Sequence, residues 1–364
     1  MLDLRSVTEP KTWNDLVQTF PASDLRQGFE WGEQRRDQGW AIHRFAVFDG
    51  DECVAATTVQ ARALSVAGSV MYAPRGPLWR IDRPDALAAL LDGIRGLARG
   101  ARGVFLRISP GLREDDVEAA TALKGQGFRA LPDTWTVWNA PRHLQILDVR
   151  ADEPTLLAAV RERYRRYIRA AGRRDIVIEE TAGDADIAAF HRLIVNLGRL
   201  KHFPVRDLAH YHALIARYAR QSAVLVLIAR RAGEVVGGLL AFPFGRTLFV
   251  QTSSVRTDDG GLHGVAPALF WEAICYAKRG GAVVVDFGSS GVRQEPDPSH
   301  PNYGLFQFKA GLGCRLVTMQ PFRDLVFRPV AYAAFRQGER RLLPRLHRVL
   351  ADAPWLVSLL KRSA

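Results

Sequence analysis

Hydrophobic and polar positions fall into a pattern that occurs twice along the chain. Residues 43–64, HRFAVFDGDECVAATTVQARAL, place apolar runs on both sides of an acidic Asp-Gly turn. Residues 223–244, AVLVLIARRAGEVVGGLLAFPF, keep the same rhythm around Ala-Gly-Glu. Apolar runs flanking such turns predict β-hairpins, because glycine reaches the backbone angles that a tight reversal needs. After each hairpin the period changes. Residues 85–110 and 265–290 begin with apolar positions at i, i+3 and i+4, pass an Arg/Gly cluster, and continue into a β-branched run. That order predicts a helix leading into a buried strand, as in a β-α-β crossover. A third pair, TALKGQGFRAL (121–131) and FQFKAGLGCRL (306–316), aligns Lys124 with Lys309. The offset stays at roughly 180 to 185 residues in all three pairs, which predicts a duplicated α/β unit.

The expected architecture is therefore α/β with mixed sheets. Two tandem domains cover residues 1–148 and 149–328, and a basic helical tail covers 329–364. Asp152-Glu153-Pro154 reads as a helix start, with proline in the first turn, and that helix is expected to continue through the arginine-rich 161–174. Pro344 and Pro354 divide the tail into short segments. Its Leu342, Leu343, Leu346, Trp355 and Leu356 alternate with Arg345, Arg348, Lys361 and Arg362, the pattern of a surface-seeking basic helix or of a packed C-terminal helix.

Composition changes this picture mainly through charge. The 364 residues are 48% hydrophobic and 24% charged, globular values. No apolar run is long enough to span a bilayer. The first residues, MLDLRSVTEPKTW, lack the basic start and apolar block of a signal peptide. Three dispersed cysteines suit a reducing cytoplasm and give no metal cluster. The net charge is +12. Residues 161–174 hold seven Arg against Glu162, and 329–364 hold six Arg and Lys361 against Glu339 and Asp352. Charge concentrated in this way points to an anionic partner, whether nucleic acid, a lipid surface or a phosphorylated substrate. On a helix, Arg161, Arg165 and Arg169 share one face.

The chemistry available narrows the choice. No Ser-His-Asp order, Cys-His pair, HExxH motif or P-loop is present, and His210 and His212 are too close in sequence to ligate one metal from a helix. The repeated hairpin, helix and strand follow the pattern of an N-acyltransferase fold. In acetyl-CoA enzymes of that fold a Gly-x-Gly loop holds the pyrophosphate at a helix N-terminus. Here the corresponding stretch, RTDDGGLHGVAPALF (256–270), is acidic and its glycines are differently spaced, which argues for another acyl donor.

Several segments resemble one family: QGFEWGEQRRDQGW (27–40), YAPRGPL (72–78), RERYRRYIRAAGRRDIVIE (161–179) and VVDFGSSG followed by NYGLFQFKAGLG. In order and spacing they are similar to the Fem/MurM-type aminoacyltransferases of peptidoglycan bridge synthesis, over about residues 20–325. The resemblance implies two acetyltransferase-like domains. It implies transfer of an amino acid from aminoacyl-tRNA to the side-chain amine of a stem peptide, carried on lipid II or a UDP-linked muropeptide. It assigns Lys309, with Phe308, to the aminoacyl ester and its developing oxyanion. Tyr303 and Phe306 would stack on the terminal adenine or line the cleft. Arg35 and Arg75 would hold diphosphate or carboxylates, while Arg75 also suits bracing a turn. In GRLKHFPVRDLAHY (198–211), Arg199, Lys201 and Arg206 are candidates for substrate contact. The long helical hairpin of some family members has no room here between 190 and 222, so tRNA would be gripped by the body, by Arg161, Arg165 and Arg169, or by the tail. Asp286, at a strand end, is the nearest carboxylate for accepting a proton, or else caps the Gly288-Ser289-Ser290 turn. No cofactor and no metal are expected. The chain is expected to be a cytoplasmic monomer with peripheral contact at the inner face of the membrane. The competing readings are an acyl-CoA-dependent N-acyltransferase acting on a cell-envelope amine, and a non-catalytic binder of nucleic acid or membrane.

Overall fold

The computed structural model describes residues 1–64, 68–132, 140–181, 183–256 and 264–339. The acidic loop at 257–263 and the tail from 340 lie outside the described residues, and with them most of what the sequence predicts for each. The chain divides into two compact units. Unit 1 holds Met1–Trp13, Arg35–Ala140 and Gln320–Ala364; unit 2 holds Asn14–Gln34 and Pro141–Met319.

The helices in chain order are α1 (Pro10–Gln18), α2 (Phe29–Arg36), α3 (Pro84–Gly100), α4 (Val117–Gly125) and α5 (Glu153–Ala159), followed by α6 (Glu162–Ala170), α7 (Asp184–Lys201), α8 (Leu208–Ala219), α9 (Val265–Arg279) and α10 (Tyr303–Gly311). In unit 1 the strands are β1 (Leu2–Ser6), β2 (Ala41–Asp49), β3 (Glu52–Ala63), β4 (Ser69–Arg75), β5 (Leu78–Trp79), β6 (Gly103–Pro110), β7 (Arg129–Ala130) and, from the far end of the chain, β15 (Arg323–Val326). They form one mixed sheet in the order β1-β2-β3-β4-β6-β15-β7, with β5 on β3. In unit 2, β8 (His143–Asp148), β9 (Ile176–Glu180), β10 (Leu225–Arg231), β11 (Glu234–Phe244), β12 (Thr247–Val255), β13 (Val284–Asp286) and β14 (Arg315–Thr318) take the order β14-β8-β13-β12-β11-β10-β9.

The repeat read from the sequence has a structural counterpart at every step. The antiparallel hairpin β2–β3 matches β10–β11. β4 and β6 pair in parallel across α3, as β12 and β13 do across α9. Lys124 and Lys309 both lie in a helix's last turn, before β7 and β14 respectively. α3 shows why the helical segments form where they do: Leu87, Leu90, Leu91 and Ile94 are at most 1% exposed and line one stripe against the sheet. Each such side chain contributes about 1.5–3 kcal/mol through burial.

One element differs from expectation. The helix predicted to run from residue 153 through 174 is broken into α5 and α6. Val160 adopts an extended conformation (φ −67°, ψ 139°) and is 1% exposed. A continuous helix would forfeit that burial. The carbonyls stranded at the break are recovered by Arg165, whose guanidinium donates to the carbonyls of Ala158 and Val160.

At the chain's far end, residues 329–339 are helical. Arg107, fully buried on β6, holds Asp324 of β15 through two 2.8 Å bonds and also pairs with Glu339. Tyr332 Oη donates to the same Asp324. A buried charge of this kind is tolerable only when its donors are matched by acceptors, as they are here.

Candidate active site

The site is built on α10 and the strand ends beside it. Lys309 sits in the last turn of α10, where a cation complements the unpaired carbonyls of the helix end. The Gly-x-Gly step that follows has two separate causes. At Gly311 a Cβ would come 2.5 Å from the ring of Tyr164, so only hydrogen fits between α6 and α10. Gly313 has φ +92° and ends the helix in a conformation that favours glycine.

The Lys309 side chain is 5% exposed. Its Nζ donates to the carbonyls of Ser289 (3.1 Å) and Gly288 (3.3 Å). Burial pushes its pKa down to about 8, with the charges of Cys314 and Asp286 acting in the opposite direction. Burial holds the neighbouring Cys314 thiol well above its ordinary pKa, with the Lys309 charge acting in the opposite direction. Asp286 takes the capping role foreseen for it: its carboxylate accepts the Gly288 N–H at 2.7 Å and fixes the turn that carries the two carbonyls. That turn is anchored again by Gln145, fully buried on β8, which donates to the Phe306 carbonyl and accepts from Ser290.

Lys309 and Phe308 line a cavity of about 420 Å³, together with Leu197 of α7, Ser254 of β12, Phe270 of α9 and Ser289. Ser254 is 3% exposed, and its hydroxyl has no hydrogen-bond partner among the described residues. Phe308 is wedged between Phe270, edge-on at 5.1 Å, and Tyr164 at 5.7 Å. The arrangement places one ammonium and one unmatched hydroxyl on a wall that mixes apolar side chains such as Phe270, Phe287 and Leu305 with polar ones such as Gln251, Thr252 and Ser253. Such a chamber suits a small polar group presented to a single fixed charge.

The other candidate residues lie as follows. Phe306 is 7% exposed and is not part of the cavity wall; Tyr303, at the start of α10, is partly buried and is not part of it either. Lys201 and Arg206 are exposed at and beyond the end of α7, as is Arg199. Arg35, in unit 1, bonds Gln60 at 3.2 Å and Gln38 and lies 5.3 Å over the Trp40 ring. Arg75 is 1% exposed, has φ 57°, and donates its backbone N–H to Ser109.

The arginine face of α6 is composed differently from the expected one. Arg161 is the residue before the helix, and its guanidinium bonds Gln307 at 2.8 Å. Arg165 is occupied with the α5 carbonyls. Arg169 instead joins Arg163, Arg166 and Arg173, with Tyr167, around a groove of about 480 Å³. Sequence reasoning missed Arg163, Arg166 and Arg173 because it counted helical turns from Arg161. It also missed the Gly288 and Ser289 carbonyls, for which the Asp-Phe-Gly-Ser-Ser turn after a buried strand was the available signal.

Comparison with known proteins bears on the family and the fold. The family model described as "FemAB family" matches residues 8–231. The lipid II:glycine glycyltransferase of Staphylococcus aureus strain USA300 is 21% identical over 401 aligned positions, covering 90% of this chain and 93% of that protein. The crystal structure of FemX superposes with a TM-score of 0.84 at 18% identity, covering 91% of this chain and 99% of that one. A tandem GNAT protein from the clavulanic acid biosynthesis pathway, with a TM-score of 0.52 and 16% identity, covers 90% and 98% respectively. Two mixed sheets related by duplication are thus a tandem GNAT-like architecture, and the chain belongs to the FemAB family.

Proposed function

We propose that this chain is an aminoacyltransferase of peptidoglycan bridge synthesis. It moves an amino acid from aminoacyl-tRNA to the side-chain amine of a stem peptide on lipid II or a nucleotide-linked muropeptide. The observation that carries the reading is the buried Lys309 ammonium on the wall of the unit 2 cavity, beside Phe308. The acceptor class is suggested by the name of the staphylococcal relatives.

An ammonium has three donors. Two of them serve the Gly288 and Ser289 carbonyls, which leaves the third for a substrate oxygen. The neutral acceptor amine attacks the ester carbonyl. As the C–N bond forms, the carbonyl π electrons move onto oxygen, where the third Lys309 donor meets the developing charge. Collapse of this oxyanion breaks the C–O bond to ribose, and the proton lost by the amine ends on the departing ribose oxygen. A pKa near 8 lets Lys309 relay that proton without a large barrier. The Ser254 hydroxyl offers a second hydrogen bond to the aminoacyl group. Phosphates of the donor's acceptor end would lie along Arg163, Arg166, Arg169 and Arg173, because α6 rests on α10 through the Tyr164–Phe308 contact.

The test is Lys309→Ala, assayed with charged tRNA and a lipid-linked muropeptide after circular dichroism has verified the fold. Turnover is expected to fall by about 10²–10³, the usual loss for one oxyanion donor. Near-normal turnover rejects this role for Lys309.

A further inference from the structure

The cavity of unit 2 holds a polar side chain whose burial the fold does not explain. Ser254, on β12, is 3% exposed and lines the cavity, and its hydroxyl meets no hydrogen-bond partner among the described residues. Its surroundings show why the neighbouring strand supplies none. In the antiparallel register Ser254 stands opposite Gly238 of β11, and residues paired in this way project to the same side of a sheet. Gly238 adds nothing polar there: a Cβ would stand 2.5 Å from the ring of Phe190 on α7. The space beside Ser254 is thus taken by an aromatic ring. A hydroxyl buried without a partner is costly, so packing alone is better served by alanine at this position. β12 is also bulged nearby. Val250 pairs with Ala241 and Thr252 with Leu240, which leaves Gln251 as the extra residue, a device that re-aims side chains beside a site.

Charge decides which part of an aminoacyl group reaches Ser254. Among the described residues that line the cavity, Lys309 is the one charged side chain, and it is a cation. Its ammonium serves the carbonyls of Gly288 and Ser289, and the Asp286 carboxylate accepts the Gly288 N–H. A second ammonium inside this cavity would lose its hydration beside a like charge, with no carboxylate on the wall to offset it. The donor's α-ammonium therefore stays at the rim, where Gln251 and Leu305 are exposed. A lysyl side chain is disfavoured inside for the same reason. With the ester carbonyl on Lys309 and the α-ammonium outward, the donor's side chain is the group left to face Ser254. A hydrogen or a methyl there leaves the hydroxyl unpaired. A hydroxymethyl satisfies it, since each hydroxyl both donates and accepts.

We propose that the cavity selects the donor by its side chain: the Ser254 hydroxyl bonds the hydroxyl of a seryl group, so that seryl donors are preferred to alanyl ones and lysyl donors are refused. The selection rests on the aminoacyl-transfer reading and names the donor class for it.

The experiment measures binding apart from transfer. Non-reactive amide-linked analogues of seryl-, alanyl- and lysyl-adenosine are titrated by calorimetry into the full chain, unmodified or carrying Ser254→Ala or Ser254→Thr. The unmodified chain should bind the seryl analogue about ten- to a hundredfold more tightly than the alanyl one, the effect of leaving one buried hydroxyl unpaired, and should bind the lysyl analogue more weakly than either. Ser254→Ala should bring the seryl-to-alanyl ratio to about one, while Ser254→Thr, which keeps a hydroxyl, should retain the preference. Ser254→Ala should not lower the urea midpoint, because the hydroxyl it removes bonds nothing in the folded chain. A second arm measures kcat/KM with one RNA minihelix charged in turn with each amino acid, and expects the same order. Seryl preference in binding without transfer from any ester would reject the transfer reading and leave the selection standing. The selection is overturned if no analogue binds, if the unmodified chain binds the alanyl or lysyl analogue as tightly as the seryl one, or if Ser254→Ala keeps the preference. It is also overturned if Ser254→Thr behaves as Ser254→Ala does, or if Ser254→Ala lowers the urea midpoint, which would give the hydroxyl to the fold.

Discussion

Lys309 is a cation held where cations are costly, and its cost has a definite pH dependence. Its pKa in the folded chain is near 8, against about 10.4 in an unfolded one. Between those values the unfolded chain binds the extra proton, so stability rises with pH across this window and the penalty is fully present below it. The difference of the two values corresponds to about 3 kcal/mol. Lys309→Met, which keeps the volume and removes the charge, should therefore be more stable than the unmodified chain at pH 7 by about that amount. The advantage should shrink as pH rises through 8 and disappear near 10.5. Urea titrations at a series of pH values measure this directly, and a pH-independent difference would mean that the ammonium is not desolvated. Lys309 was legible in the sequence as an outlier, a lysine set among aromatics in YGLFQFKAG. The carbonyls of Gly288 and Ser289 were not, because a backbone acceptor has no sequence signature and the turn that aims it is set by Asp286 and Gln145.

At the scale of elements, the active site depends on how closely α6 approaches α10. The contact runs through Tyr164, which packs against Phe308 and leaves no room for a side chain at Gly311. Gly311→Ala sets two effects against each other. Alanine gains about 1 kcal/mol in helix propensity, while overpacking against the ring costs about 1–3 kcal/mol. The substitution is expected to destabilise the chain by about 1 kcal/mol net. In a Tyr164→Ala background the clash is gone and the same substitution should become stabilising. A double-mutant cycle by chemical denaturation reads the sign in each background, and the same sign in both would remove Tyr164 as the reason for the glycine. The duplicated hairpins and crossovers were legible because turn residues and a change of hydrophobic period mark them locally. The break at Val160 was not. The arginines beyond it continue a helical pattern, and the helix is interrupted where Val160 is buried and the Arg161 N–H donates to the Gly311 carbonyl at 2.8 Å. Arg161 then precedes the helix and Arg165 bonds the carbonyls at the break, so the groove is lined by Arg163, Arg166, Arg169 and Arg173.

For the whole molecule, the net charge is +12, and among the described residues arginines gather in two grooves of unlike character. The α6 groove combines four arginines with Tyr167, a ring suited to stacking, and lies beside the transfer cavity's own helix. The unit 1 groove is lined by Arg95, Arg99, Arg102 and Arg328, with Arg95 paired to Asp92. A diffuse cloud of positive charge would bind any polyanion, whereas two grooves with different neighbours are expected to divide the anions between them. Each phosphate contact adds close to one unit to the dependence of log affinity on log salt. R166E/R169E should therefore weaken tRNA binding and lower that slope by about 2. R99E/R102E should leave the tRNA slope untouched. Filter binding over a range of salt concentrations measures both variants. Slopes that fall equally in the two would show that tRNA responds to overall charge and would dissolve the distinction between the grooves. A change confined to R166E/R169E would assign the nucleic acid to α6, next to the helix that carries Lys309.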